Sequence, residues 1–224
     1  MNIGSSSCRA EGKTMAIIHG DFSGHKEKPK KKGKEKDNKP APLYQLHVSL
    51  TFSDPLIWRR ILVPGEITLH QLHQVLQLCM GWSGTHKHQF YVGKIFYDMD
   101  PGKNDNGRYH EADYDLQTLE EAMKWCFIYL YDAGDGWEHE IALEESVAPQ
   151  LGQKYPVVVD GEYAAPPEDV GGVHGYTEFL SLMENSEDKA RRRIMEEWNL
   201  SDFDPFHFDC RKINDELKEY LWIK

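Results

Sequence analysis

The amino-acid sequence predicts an α+β domain: a mainly antiparallel sheet built from hairpins, packed against helices, with a helical C-terminal part. Three observations predict it. Apolar and polar residues alternate at period two from Leu43 to Phe52 and from Trp137 to Glu144, the spacing of half-buried strands. Glycine-bearing turns, Gly93-Lys94 and Ala133-Gly134-Asp135-Gly136, join strand-like runs as hairpins require. Apolar stripes at helical spacing follow Thr68 and dominate after Tyr176.

A chain of 224 residues with 40% hydrophobic and 12% aromatic content supports one sizeable core. Its charge is divided unevenly. Residues 1–40 carry ten Lys or Arg against five Asp or Glu, whereas the other 184 carry sixteen against thirty-two, so a tail of +5 precedes a body of -16. The run His25 to Pro40 repels itself and lacks apolar residues, and residues 1–40 are therefore expected as a disordered basic tail before a single domain spanning 41–224. An acidic body disfavours a broad nucleic-acid-binding face, which leaves nucleic acid as a partner for the tail only. No apolar run is long enough for a membrane span and no signal-peptide core is evident, so a cytoplasmic protein without membrane contact is expected. Cys8, Cys79, Cys126 and Cys210 are far apart, which reads as reduced thiols, three of them buried, rather than a zinc cage or disulfide framework.

The elements follow in order. Leu43–Phe52 is a strand, Asp54-Pro55 a turn, and Ile57–Val63 its hairpin partner, with Arg59 and Arg60 pointing to opposite faces. One of these arginines must be paired or must snorkel if its face is covered. Thr68 and Gln71 fit a capping box opening a helix that runs to about Gly81, and His70 and His73 are expected at its solvent edge. Thr85–Val92 and Ile95–Asp98 form a second hairpin. Asp98–Asp113 lacks the calcium-loop pattern and is expected as a mobile surface loop. Leu116–Met123 supplies one or two helical turns, and Phe127–Tyr131, apolar on both faces, a central strand. Val157–Val159 is a short edge strand, and Tyr176–Met183, Asp188–Trp198 and Asp209–Trp222 are helices.

Candidate site residues concentrate in Tyr131–Glu140. Asp132, Asp135, Glu138 and His139 crowd around two glycines, and a turn accounts for Asp132, Gly134 and Gly136 by itself. His139 shares the apolar face of its strand with Trp137, so its ring requires a partner, for which Asp132, Asp135, His86 and His88 are the candidates. His86 and His88, two apart, project from one face, a spacing that suits a metal ion or a hydrogen-bonded pair. Glu168 and Asp169 follow Pro166-Pro167, a stiff presentation of two carboxylates. Neither a nucleophile elbow nor a phosphate-binding glycine loop occurs, so no kinase, dehydrogenase or serine-hydrolase reading is retained and no cofactor is expected.

Six ordered blocks, Trp58–Pro64, Thr68–Gln77, Met80–Phe90, Tyr131–Glu140, Pro166–Tyr176 and Asp204–Asp209, together resemble the plasmid pRiA4b open-reading-frame-three-like family, also known as insertion-element passenger proteins. The resemblance spans Leu43 to Tyr220. It implies an α+β domain with a mainly antiparallel sheet and an association with plasmids and mobile elements, and it implies no established activity. Two positions depart from the family pattern: Ala165 stands where a Cys often precedes the Pro-Pro-Glu-Asp block, and Ala133 where an aromatic often follows Tyr-Asp.

Two functions are expected from these residues. The first is a non-catalytic module whose acidic, histidine-bearing groove binds a protein, peptide or small ligand through His86, His88, Asp132, Asp135, Glu138, His139, Glu168 and Asp169. The alternative is a metal-dependent hydrolase or nuclease in which His86, His88, Asp132, Asp135, Glu138 and His139 hold a divalent ion that activates water. A third possibility is purely architectural, a buried hydrogen-bond network that locks two hairpins together.

Overall fold

The expected hairpins and the Thr68–Gln71 capping box are present. The computed structural model describes residues 41–102, 107–123, 126–185, 187–197, 200 and 203–222, so the expected basic tail and Cys8 lie outside the described residues. The strands are β1 (Leu43–Leu50), β2 (Trp58–Pro64), β3 (His88–Val92), β4 (Ile95–Asp98), β5 (Arg108–His110), β6 (Cys126–Tyr131), β7 (Trp137–Val147) and β8 (Val157–Glu162). The helices are α1 (Leu69–Met80), α2 (Leu116–Met123), α3 (Gly172–Asn185), α4 (Asp188–Glu197) and α5 (Cys210–Trp222). Among the described residues the eight strands form one sheet in the order β5-β4-β3-β6-β7-β1-β2-β8, antiparallel except for β4–β5. The fold is α+β.

The sheet has two unlike faces because its strands alternate at period two. Tyr44, Leu46, Val48, Ile61, Phe90, Phe127, Tyr129, Trp137 and Ile141 project to the covered face and are fully buried. Helix α1 supplies Leu69, Leu72 and Leu76 to the same core. Its start is fixed by the capping box, Thr68 Oγ1 accepting from the Gln71 N–H at 3.2 Å and Gln71 Oε1 from the Thr68 N–H at 3.0 Å. Its end is fixed by Gly81 in the left-handed conformation, φ 70°. On the other face, half-exposed Arg60 holds Glu144 through two bonds of 2.7 and 2.8 Å.

Arg59 resolves the question its sequence poses. It is buried, and it donates to the carbonyls of Cys79, Trp58 and Glu162 at 3.1, 2.8 and 2.9 Å while lying over the Phe208 ring. Desolvation lowers its pKa to about 10, and the guanidinium stays charged at neutral pH. It ties the last turn of α1 to β2 and β8.

Three expectations are corrected. Among the described residues, the presumed mobile loop after Asp98 contains β5 and a 3-10 turn, Glu111–Asp113, with Glu111 wholly buried. His73 lies in the core rather than at a solvent edge, whereas His70 keeps the expected edge position, its side chain 37% exposed, and bonds the Glu111 carboxylate. Of the three described cysteines only Cys79 is fully buried, Cys126 and Cys210 being half-buried because they open a strand and a helix at the rim of the core. Among the described residues, no helix is long and apolar enough to cross a membrane.

Candidate functional site

The β6–β7 turn and the segment leading into α3 are built against each other. Gly172, at φ 69°, lies so close to the main-chain oxygen of Asp135 that a Cβ there would overlap it. Asp135 Oδ2 accepts from the Gly171 N–H at 3.2 Å, a second tie between the two segments. Gly175, in the first turn of α3, passes equally close to the Val170 carbonyl. Gly172 and Gly175 thus serve close backbone approach at positions where a side chain would not fit, whereas Gly136 and Gly171 supply the left-handed backbone of their turns, φ 69° and 88°.

This junction places carboxylates from both segments beside His86. His86 Nδ1 stands 3.7 Å from Asp132 Oδ2, and its Nε2 stands 3.6 Å from Asp169 Oδ1. Asp132 and Asp169 both adopt left-handed backbone, φ 52° and 60°, a conformation that Asp tolerates better than most residues. Asp132 Oδ1 accepts from the Gly134 N–H at 2.9 Å, which turns Oδ2 toward the histidine. The three side chains are graded in exposure, with Asp132 at 13%, His86 at 34% and Asp169 at 77%.

Glu168 is the anchor of this corner. It accepts from the Tyr131 hydroxyl at 2.7 Å, from the Ser83 N–H at 2.8 Å and from Ser83 Oγ at 3.1 Å, so both oxygens are engaged. Burial pushes the Tyr131 hydroxyl up to about 12, and the neighbouring carboxylate adds to that shift, so Tyr131 remains a donor at neutral pH. The Tyr131 ring packs edge-on to His86 and stacks on Trp82, whose Nε1 donates to the Pro166 carbonyl at 2.8 Å. The corner therefore rests on a fixed aromatic base.

A second cluster lies inside the molecule. Glu111 accepts from His70 Nδ1 and His88 Nε2, each at 2.8 Å. His88 stacks on His73 with ring centroids 3.5 Å apart, and His73 Nδ1 meets the Tyr129 hydroxyl at 2.7 Å, to which Gln77 Nε2 also donates at 2.9 Å. Desolvation lowers His73 to about 3, and His88 acts in the same direction. Glu111 is held below the usual carboxylate range: desolvation acts to raise it, and the bonds and charges of His88 and His70 together outweigh that effect. This network joins α1, β3, β6 and the 3-10 turn.

His139 belongs to neither cluster. It is fully buried between Trp82 and Tyr129, and desolvation lowers it to about 3, with the Tyr129 and Trp137 carbonyls offsetting part of the cost. Neither of its ring nitrogens reaches a hydrogen-bond partner in good geometry among the described residues, and none of the four partners expected from the sequence serves it. Glu138 projects to the opposite sheet face, where desolvation raises it. Of the residues expected to form the site, His86, Asp132 and Asp169 come together, Glu168 and Asp135 brace them, and His88, His139 and Glu138 point elsewhere. Tyr131, Ser83, His70, His73, Tyr129 and Glu111 were not among the candidates. A polar pair on an apolar stripe, His73 and Gln77 at i and i+4, was the available signal; Glu111 meets His70 across 41 residues and gives no local one.

Fold and site together define an α+β domain whose sheet is covered on one face and carries a His–Asp–Asp corner where two glycine-rich segments meet. The chain belongs to the plasmid pRiA4b ORF-3-like protein family, whose model matches residues 42–212. It is similar to an uncharacterised protein of Sinorhizobium fredii, 33% identical over 180 residues that cover 80% of this chain and 92% of the relative. It is also similar to a protein of unknown function from Methanosarcina mazei, whose crystal structure matches with a TM-score of 0.69 at 30% identity, covering 77% of this chain and 97% of the other. Ala165, just ahead of the Pro-Pro-Glu-Asp block, is half-buried against the core.

Proposed function

We propose that the chain is a non-catalytic binding module that engages a protein, peptide or small ligand at the corner formed by His86, Asp132 and Asp169. The carrying observation is a separation of roles among the reactive side chains. His73, His88, His139 and Glu111 are sealed in the core, whereas His86, Asp132 and Asp169 converge where solvent reaches them. Binding is favoured over turnover because Glu168, the carboxylate that precedes Asp169, has both oxygens engaged and is not available as a general base. A corner with Asp169 at 77% exposure also does not exclude water, the condition under which electrostatic catalysis is strong.

The alternative of a metal-dependent hydrolase draws on one observation, that ligand-capable atoms of His86, Asp132 and Asp169 lie within 4.8 Å of one another. A fragment screen by protein-observed NMR in the presence of EDTA separates the readings. The binding module predicts hits that shift the amides of Gly134, Asp169 and Gly171 and are lost in an Asp132→Asn, Asp169→Asn double variant. Hits confined to the open hollow around Gly152–Val157 would move the site away from this corner. Hydrolysis of chromogenic ester or phosphodiester substrates with added zinc or manganese, abolished by His86→Ala, would replace the proposal with the hydrolase.

A further inference from the structure

We propose that His86, Asp132 and Asp169 form a divalent-metal site with one imidazole nitrogen and two carboxylate oxygens as protein ligands, an inference that rests on this corner being the binding surface. The separations of 3.7 Å (His86 to Asp132) and 3.6 Å (His86 to Asp169) are too long for hydrogen bonds. The two carboxylates face different ring nitrogens, Asp132 the Nδ1 and Asp169 the Nε2, so an ion takes only one of these nitrogens; one donor atom from each of the three residues lies within 4.8 Å of the others, and a small side-chain adjustment brings all three to bonds of about 2.0–2.2 Å on one ion. The same chain provides the comparison. Where imidazole and carboxylate meet as hydrogen-bond partners, at His70–Glu111 and His88–Glu111, both contacts close to 2.8 Å.

The donors are also held in place before any ion arrives. Asp132 has one oxygen on the Gly134 amide and the other toward His86. Asp169 sits between Glu168, fixed by Tyr131 and Ser83, and Gly171, fixed by Asp135. The ion takes one nitrogen of His86, and the other keeps the proton that orients the ring, the usual arrangement for a metal-bound histidine. An imidazole among the donors selects a first-row transition ion such as zinc over magnesium. The remaining coordination positions face solvent on the Asp169 side, where water or a donor group of the bound ligand completes the shell.

Isothermal titration of Zn²⁺ into the full chain, previously dialysed against EDTA, tests the site, with Co²⁺ as a spectroscopic substitute. The expected result is a single equivalent bound, with affinity weakened at least about tenfold in both His86→Ala and Asp169→Asn. Mg²⁺ is expected to produce no comparable saturation. Absence of saturable Zn²⁺ binding, or equal affinity in the wild type and both variants, would overturn the inference. Because Asp169 is exposed and Asn accepts its backbone conformation, Asp169→Asn decides the matter even if His86→Ala fails to fold. The fragment screen contains EDTA, so a corner that binds fragments but no Zn²⁺ overturns the metal site alone, and a corner that binds no fragments overturns the underlying reading.

Discussion

Gly172 lies against the main-chain oxygen of Asp135, and that contact joins the β6–β7 turn to the segment that carries Asp169. A Cβ at Gly172 meets backbone, which does not move aside as a flexible side chain would, and the residue also has a left-handed φ of 69°. Gly172→Ala is expected to cost about 2–4 kcal/mol in urea denaturation, combining strain with overlap. The amides of Asp132 and Asp169 should shift together in its NMR spectrum. A variant with wild-type stability and unmoved amides would show that the two segments are not coupled through this contact.

Glu111 is the hub of the internal cluster. Replacing it with Gln removes the charge that two histidines surround and leaves buried polar groups mismatched, an expected loss of about 3–5 kcal/mol by chemical denaturation. Fragment and Zn²⁺ binding at the corner should persist in any folded fraction, because no corner residue bonds to Glu111.

Acid should destabilise the protein before ordinary carboxylate titration accounts for it. His73 and His139 titrate near 3 when folded against 6.5 when exposed, so between those values the unfolded chain binds more protons. Their contribution is complete above 6.5 and is lost as pH falls toward 3, at up to about 1.4 kcal/mol per pH unit for each ring. Glu111, lowered below 4.5, works in the same direction at more acid pH. The urea midpoint should fall between about pH 7 and pH 5, and His139→Leu should make that fall shallower. A flat profile would contradict the buried neutral state of these rings.

Tyr131→Phe removes one short bond to Glu168 and leaves the ring in place. A stability loss of about 1–2 kcal/mol is expected for a bond to a partly exposed charged acceptor. Weaker Zn²⁺ binding should accompany it, because Glu168 positions its neighbour Asp169. Stability loss with unchanged affinity would limit Tyr131 to a structural role.

Much of the fold was legible because strand alternation, glycine turns and the Thr68–Gln71 capping box are local signals. The β6–β7 hairpin, the central place of β6 and the edge place of β8 all follow from such patterns. The site was legible by residue type but not by grouping. His86 and His88 lie two residues apart, yet one meets Asp132 and Asp169 and the other is drawn inward to Glu111, a contact formed across 23 residues. The strand alternation places His139 inward, and its lack of a well-aligned hydrogen-bond partner among the described residues emerges only from the packing of Trp82 and Tyr129 around it.

The central claim is that function belongs to the open corner and that the inner histidines are structural. Long-range ¹H–¹⁵N correlation spectra of the histidine rings during Zn²⁺ titration test it most directly, since each ring reports separately. The account predicts that the His86 ring nitrogens shift and saturate while those of His73, His88 and His139 stay in place. Saturating shifts at His88 or His139 with His86 unmoved would contradict it.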